Sequence, residues 1–308
     1  MAGHTQSLPV PIERVATVGG TPAVNSFLFM LGQGDKIVNA LPSMKSKMSW
    51  PMQIRLNPAL QTALPASAGQ SWEPFLENIL QLKPDLCIVL TTEAAERIKS
   101  TGCPALVVNW RGPGSIKETA AVLADALNAH NRLDAYRMFS SSLRSWIQAK
   151  LANTERDPTA LYFSYPEMKQ QMAQTANRMF ASAKGRGLPD NPAYANVHTL
   201  ALDIEQLYAW DPYALVVPSL SAKKGILADT RFSKLQAVRD NRIYVVPKGL
   251  HLWTHYTPEA VLGEIWAAHI LHPELISKPD VERSVFEFYQ QFTGLTLTRQ
   301  ELQSLLWN

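Results

Sequence analysis

The sequence predicts an α/β chain of two lobes joined by one long helix, and three observations carry that expectation. Short apolar runs alternate with helical segments across 14–108. A helical pattern then runs unbroken over 132–152, and the alternation resumes over 160–246. Strands separated by helices require a parallel sheet covered on both faces. A chain of 308 residues, 46% of them hydrophobic, is long and apolar enough for two such units.

In the first lobe, 14–18 reads as a strand broken by Gly19-Gly20-Thr21, with Pro22 suited to the first turn of a helix reaching Leu31. A second strand is expected at 36–40, a helix at 72–82 stopped by Pro84, a third strand at 85–90, a helix at 94–100 and a fourth strand at 105–108. Ser115 and Glu118 have the spacing of a capping box opening a helix to about Asn128. In the next helix Leu133, Tyr136, Leu143, Ile147 and Leu151 share one face, and about 20 residues give a rod of roughly 30 Å. Beyond it, 160–164 reads as a strand, 177–184 and 204–210 as helices, 214–217 as a strand, 233–238 as a short helix and 242–246 as a strand. Thr257-Pro258 reads as N-cap and first turn of a helix to about Leu271, and 281–308 as two short amphipathic helices. The divisions are an N-terminal lobe over 12–128, a connecting helix over 129–155 and a C-terminal lobe with helical tail over 156–308.

Net charge is +3 and the basic residues are scattered, so no nucleic-acid partner is expected. No stretch approaches the ~18 apolar residues of a membrane span. Residues 1–11 lack the basic and then apolar regions of a signal peptide, so an exported form is expected to owe its export to a signal not on this chain. Cys87 and Cys103 read as small core hydrophobes at buried strands, with a disulfide open to them in an oxidising compartment. There is no G-x-x-x-x-G-K-[ST], G-x-G-x-x-G or G-x-S-x-G pattern, so nucleotide binding and α/β-hydrolase chemistry are unsupported.

Candidate ligand contacts cluster after the strands, where open α/β sheets take their ligands. Trp50 follows the second strand, Trp110 and Arg111 follow the fourth, and Tyr165 and Ser219 follow strands of the second lobe. An Arg there suits an anionic group, while each Trp has an alternative role capping its lobe's core. Gly19-Gly20-Thr21 offers backbone N–H groups to an anion, or is an ordinary βα turn. His251, Trp253 and His255 lie on one inter-element loop and fit ligand contact, with surface or packing roles as the alternative. His269 and His272 close a helix, where its C-terminal dipole accounts for them. Strand ends carrying Thr, Ser, Tyr, Trp and Arg rather than paired carboxylates bind better than they react, so an enzyme such as a chelatase is the weaker alternative.

Glu77 stands seven residues before Pro84 and Glu205 seven before Pro212, each ahead of an apolar strand. Residues 77–86, Glu-Asn-Ile-Leu-Gln-Leu-Lys-Pro-Asp-Leu, are close to an E-x-I-L-x-L-K-P-D-L signature, and 232–244 is similar to W-x-x-L-x-A-V-K-N-G-R-V-Y with Phe232 in place of Trp. With 12–17 and the Leu31-Gly32 to Val38 segment, these motifs make the chain resemble the class III periplasmic binding proteins, which carry iron-siderophores, vitamin B12 and related metal ligands. The resemblance spans roughly 12–275. It implies two Rossmann-like lobes joined by one long helix, a ligand cleft between them, a periplasmic location, no cofactor, and a monomer that hands its ligand to the permease of an ABC importer. It also implies that Glu77 and Glu205 dock on that permease. Among ligands, a metal chelate such as an iron-siderophore is favoured, because Trp faces suit a bulky ligand and Arg111 its charge; molybdate or tungstate, a nickel complex and cobalamin are the alternatives.

Overall fold

The computed structural model describes residues 11–42, 50–67, 73–109, 112, 114–171, 173–187 and 199–307. The first lobe contains β1 (Val15–Val18), α1 (Thr21–Met30), α2 (Pro51–Leu56), α3 (Ala59–Thr62), α4 (Leu76–Leu82), β2 (Leu86–Val89), α5 (Thr92–Ile98), β3 (Ala105–Val107) and α6 (Ser115–Leu127). Next comes α7 (His130–Leu151). The second lobe contains β4 (Thr159–Tyr162), β5 (Lys169–Gln171), α8 (Ala173–Ser182), β6 (Arg186–Gly187), β7 (Thr199–Ala201), α9 (Ile204–Trp210), β8 (Ala214–Val217), α10 (Leu220–Ala228), α11 (Gln236–Arg239), β9 (Ile243–Val245) and α12 (Ala260–Leu271). The tail is α13 (Lys278–Thr293) and α14 (Arg299–Leu306).

The strands β1, β2 and β3 form a parallel sheet in that order. A second parallel sheet has the order β6, β4, β8, β9. The strands β5 and β7 make a separate antiparallel pair. Both main sheets are flanked by helices, and β1, β2 and β8 are buried throughout, as parallel strands covered on both faces must be. The expected strand at 36–40 is reduced to isolated bridges, Val15 to Ile37 and Ala40 to Pro65. A 3₁₀ turn at Gly34–Lys36 takes up its start. Gly34 packs so tightly on Phe29 that a Cβ would lie 2.1 Å from that ring, which holds the turn and shortens the ladder.

The helix α12 is apolar but for Glu264 and His269, and every residue from Val261 to Leu271 is buried, the pattern of a helix enclosed on all sides. The helix α7 buries Leu133, Tyr136, Leu143, Ile147 and Leu151, the face its periodicity marks, together with Ser140. It packs against α6, α12 and α13. The Arg132 guanidinium donates to the carbonyls of Gln291 and Phe292 at the end of α13, at 2.9 and 2.7 Å, satisfying orphan carbonyls at that helix's C-terminus. One apolar cluster takes in Val15, Phe27 and Leu86 from the first lobe and Ala160, Val216 and Leu250 from the second. The lobes therefore share a core. No helix among the described residues is long and apolar enough to cross a membrane.

Two expected helix caps, those at Ser115 and Thr257, are not made. Gly114, in the left-handed region at φ 89°, is the N-cap of α6, so Ser115 is the first helical residue and forms no capping box. Glycine reaches that conformation without the Cβ penalty that a serine would meet. The helix after Thr257 begins at Ala260, because the Glu259 side chain is turned back into the preceding loop.

Candidate ligand cleft between the lobes

A buried polar chain crosses from one lobe to the other. The Thr17 hydroxyl donates to Asn25 Oδ1 at 2.9 Å, and Asn25 Nδ2 donates to Gln53 Oε1 at 3.1 Å. Gln53 Nε2 then donates to the carbonyls of Pro22, at 2.8 Å, and Leu250, at 2.7 Å. Leu250 belongs to the loop following β9, so Gln53 fixes α2 against the second lobe. A buried amide with its hydrogen bonds made in this way resists displacement, since each lost partner leaves a desolvated polar group. The Gly19–Gly20 turn sits beside this chain with both residues at positive φ, but the Gly19 N–H already donates to Ser67 Oγ at 3.2 Å.

Trp50, at the N-cap of α2, is 3% exposed and stacks on His251 at 5.1 Å between ring centroids and 14° between planes. Lys248 Nζ lies over the Trp50 ring, 5.0 Å from its centroid. His251 is in turn 4.8 Å from the His255 ring. Burial, with the neighbouring His255 and Lys248 charges, lowers the His251 pKa well below the usual imidazole range. Burial lowers that of His255 to about 4. Both imidazoles are therefore neutral near pH 7, each a hydrogen-bond donor at one nitrogen and an acceptor at the other.

The loop that carries them is held from beneath by Glu259. This fully buried carboxylate accepts from the backbone N–H of Leu250 at 2.8 Å and of His251 at 2.6 Å, and from the Tyr289 hydroxyl. Burial pushes its pKa up to about 7 against the pull of these donors. Burial and the Glu259 charge push the Tyr289 hydroxyl well above its ordinary pKa, which keeps it a donor. Gly249 is required by close approach. A Cβ there would lie 1.7 Å from Tyr289 Oη and 2.2 Å from Glu259 Oε1.

Next to His255 is a cavity of about 20 Å³, measured to the centre of a water-sized sphere. That corresponds to a void of roughly 3 Å radius. Its wall on the first lobe is Ile116, at the start of α6, and its polar walls are Arg144, Arg178, Thr254, His255, Tyr256 and Glu264. Arg144, on α7, is tied to Glu264, on α12, through Nε at 2.8 Å and Nη2 at 2.9 Å. Arg178, on α8, forms no ion pair with a described residue, and it is the second cation at the cavity.

The structure thus brings Trp50, His251, Trp253 and His255 together. It turns the Trp side chains inward, however: Trp253 is 1% exposed and Trp50 is covered by His251. Trp110 and Arg111 lie outside the described residues. Tyr165 stands edge-on to Phe232 at 5.7 Å and donates to Asp229 Oδ2 at 3.1 Å. Ser219 is the N-cap of α10, accepting from the Ala222 N–H at 3.2 Å. Both side chains make these contacts within the second lobe rather than with the Trp50–His255 group. His269 Nδ1 meets the Ile276 carbonyl at 2.7 Å, and burial lowers its pKa, so it acts as a neutral tie and not as a charge on the helix dipole. His272 Nε2 likewise meets the Lys184 carbonyl, at 3.2 Å. Arg144, Arg178, Gln53 and Glu264 were not singled out from sequence, since nothing in their local sequence marks them as site residues.

Glu77 and Glu205 lie in closely matched settings. The helices α4 and α9 have seven residues each, with the Glu exposed in the first turn. Both end on a left-handed residue, Lys83 at φ 46° and Asp211 at φ 35°, followed by Pro84 and Pro212. Two residues after each Glu is a buried anchor, Ile79 or Leu207. Three after it is an exposed apolar side chain, Leu80 at 55% or Tyr208 at 36%.

Residues 18–250 match the family model described as periplasmic binding protein, and the chain belongs to that family. It is 25% identical over 285 residues to the molybdate-binding protein MolA of Haemophilus influenzae, covering 83% of this chain and 80% of that protein. The solved structure of MolA bound to molybdate superposes with a TM-score of 0.78 at 19% identity, covering 95% of this chain and 96% of that one. A periplasmic solute binding protein from Veillonella parvula gives 0.81 at 20% identity, covering 97% and 93%. The triscatecholate siderophore binding protein FeuA of Bacillus subtilis, complexed with ferri-bacillibactin, gives 0.67 at 17%, covering 88% and 96%.

Proposed function

We propose that this chain is the extracytoplasmic solute-binding component of an ABC importer, and that it captures a tetrahedral oxyanion of the molybdate or tungstate type without chemical turnover. The observation that carries the ligand class is the cavity between the lobes, of about 20 Å³, with Arg178 on its wall. That space suits a compact anion and is far below the several hundred Å³ of sites for drug-sized ligands. A bulky chelate would want open Trp faces, and Trp50 and Trp253 spend theirs on packing, while Trp110 and Arg111 lie outside the described residues. Among the described residues no three His, Cys, Asp or Glu side chains are placed to hold a bare cation. The sequence relationship to MolA supports the same reading.

In this reading the exposed Arg178 supplies charge at the rim, and His255, Thr254 and Tyr256 supply hydrogen bonds. The shared core and the Gln53–Leu250 bridge keep closure of the lobes small. A thermal-shift screen tests the proposal. Molybdate or tungstate at 100 times its Kd should add about 2.7 kcal/mol of stability. Ferric siderophores, cobalamin and nickel chelates should add nothing. A shift with a siderophore and none with the oxyanions would return the chelate reading.

The paired settings of Glu77 and Glu205 support docking on a permease, one carboxylate and one neighbouring apolar side chain per lobe. Exposed ion pairs contribute little energy each, so the carboxylates would act chiefly on orientation and encounter rate. Glu77→Ala with Glu205→Ala should leave ligand affinity and melting unchanged and lower transport in vesicles containing the permease, less so as salt rises. Normal transport at low salt would make both residues ordinary surface.

A further inference from the structure

Cys87 lies inside β2, and Cys103 lies just ahead of β3 in the neighbouring strand connection. The strands are held in register by the Cys87 N–H donating to the Pro104 carbonyl at 2.9 Å. The two Sγ atoms are 3.1 Å apart, and both residues are free thiols. Disulfide formation needs the two sulfurs to close to about 2 Å with little backbone movement, and here the backbone already places them in contact. Nothing in ligand capture uses either residue.

The two thiols differ in access. Cys87 is fully buried, whereas Cys103 is 9% exposed and lies on the wall of a surface cavity of about 330 Å³ that Leu80, Lys83, Pro84, Thr101 and Gly102 also line. A dissolved oxidant therefore reaches Cys103 first.

We propose that Cys87 and Cys103 are a thiol pair built to close into an intrachain disulfide by exchange with a small disulfide, Cys103 being attacked from the cavity side and Cys87 resolving it. Cys103 gives up its proton and its sulfur attacks one sulfur of R–S–S–R. A Cys103–S–S–R bond forms and the first thiolate leaves, taking a proton. Cys87 then gives up its proton and attacks the Cys103 sulfur, closing the Cys87–Cys103 bond and expelling the second R–SH. Two protein thiols are oxidised by two electrons and one external disulfide is reduced to two thiols. The hydrogen bond from Cys87 lowers the Cys103 pKa, while that contact and burial raise the Cys87 pKa, so the more accessible sulfur is also the better nucleophile. Oxidising compartments supply such disulfides. The closed bond would tie β2 to the connection ahead of β3. This inference does not depend on which ligand the cleft takes.

The test exposes the folded full-length chain to excess oxidised glutathione, quenches it, unfolds it in a maleimide and weighs it. The expected product has lost two hydrogens and takes up no maleimide, and prior reduction restores two labels. Cys87→Ser should instead keep one glutathione on Cys103, because no thiol remains to expel it. Cys103→Ser should react at least tenfold more slowly, its one thiol being buried. The proposal is overturned if the wild-type chain takes up two labels after oxidation, or if it holds glutathione adducts in place of the internal bond. Equal reaction rates for the two variants would overturn the order of attack.

Discussion

Glu259→Gln is expected to cost about 2 kcal/mol of stability near neutral pH and to weaken oxyanion binding, because it breaks the support under the ligand loop. In the native chain Oε1 accepts from Leu250 and Tyr289, and Oε2 accepts from His251 at 2.6 Å. The amide can keep its oxygen toward Leu250 and Tyr289. Its NH₂ then faces the His251 N–H, two donors meeting in a fully buried site. The substitution also has a pH signature that simple loss of packing lacks. Between about 4.5 and 7 the native Glu259 holds a proton that the unfolded chain does not, so it lowers stability as pH rises. His255, lowered to about 4, and His251, also lowered, do the reverse: below about 6.5 the unfolded chain binds protons that the native state refuses, and stability falls as pH falls. Glu259 therefore offsets one histidine in the wild-type chain. Without it, stability should rise with pH more steeply by about 1.4 kcal/mol per pH unit over roughly 4.5–6.5. Urea denaturation at several pH values in that window measures the slope; an unchanged slope would show that Glu259 does not titrate as its burial requires.

Arg144→Ala should destabilise by about 2 kcal/mol, chiefly by abandoning Glu264 rather than by losing an attraction. The Glu264 side chain is 7% exposed and that of Arg144 38%, so solvent screens part of the charge and the loss falls below the 3–5 kcal/mol of a fully buried pair. Replacing both residues, Arg144→Leu with Glu264→Leu, should recover most of the loss, since an apolar pair leaves no bare carboxylate. A urea double-mutant cycle measures this coupling. If Arg144→Ala falls within about 0.5 kcal/mol of wild type, the pair is an ordinary surface contact.

Much of the fold was legible because local chemistry fixed it. The helix α9 and strand β8 occupy the residues that the sequence marks, 204–210 and 214–217. There an Asp203 capping box starts the helix, and Pro212 follows its left-handed end. The apolar face of α7 was equally plain. The failures are tertiary. The spacing of Ser115 and Glu118 fits a capping box, yet Gly114 takes the cap position. The segment 36–40 has strand composition, yet the Gly34–Phe29 contact turns it. The short β5, β6 and β7 carry too few residues for a period-2 pattern.

The cleft was legible one residue at a time and illegible as an assembly. Trp50, His251 and His255 stood out as aromatic and imidazole side chains on loops, but nothing local says that the first two cover each other. That contact changes the ligand class the site suits. Arg178 reads as an ordinary helix residue on α8. Its position at the cavity follows only from the packing of α8 against α12.

In titration calorimetry of the purified chain, molybdate and tungstate should each bind at one site per chain, and Arg178→Ala should weaken them by about 10- to 100-fold, the value of one charge-assisted contact. Ferric catecholate siderophores should give no heat. Saturable binding of a ferric siderophore with silent molybdate and tungstate would contradict capture of an oxyanion.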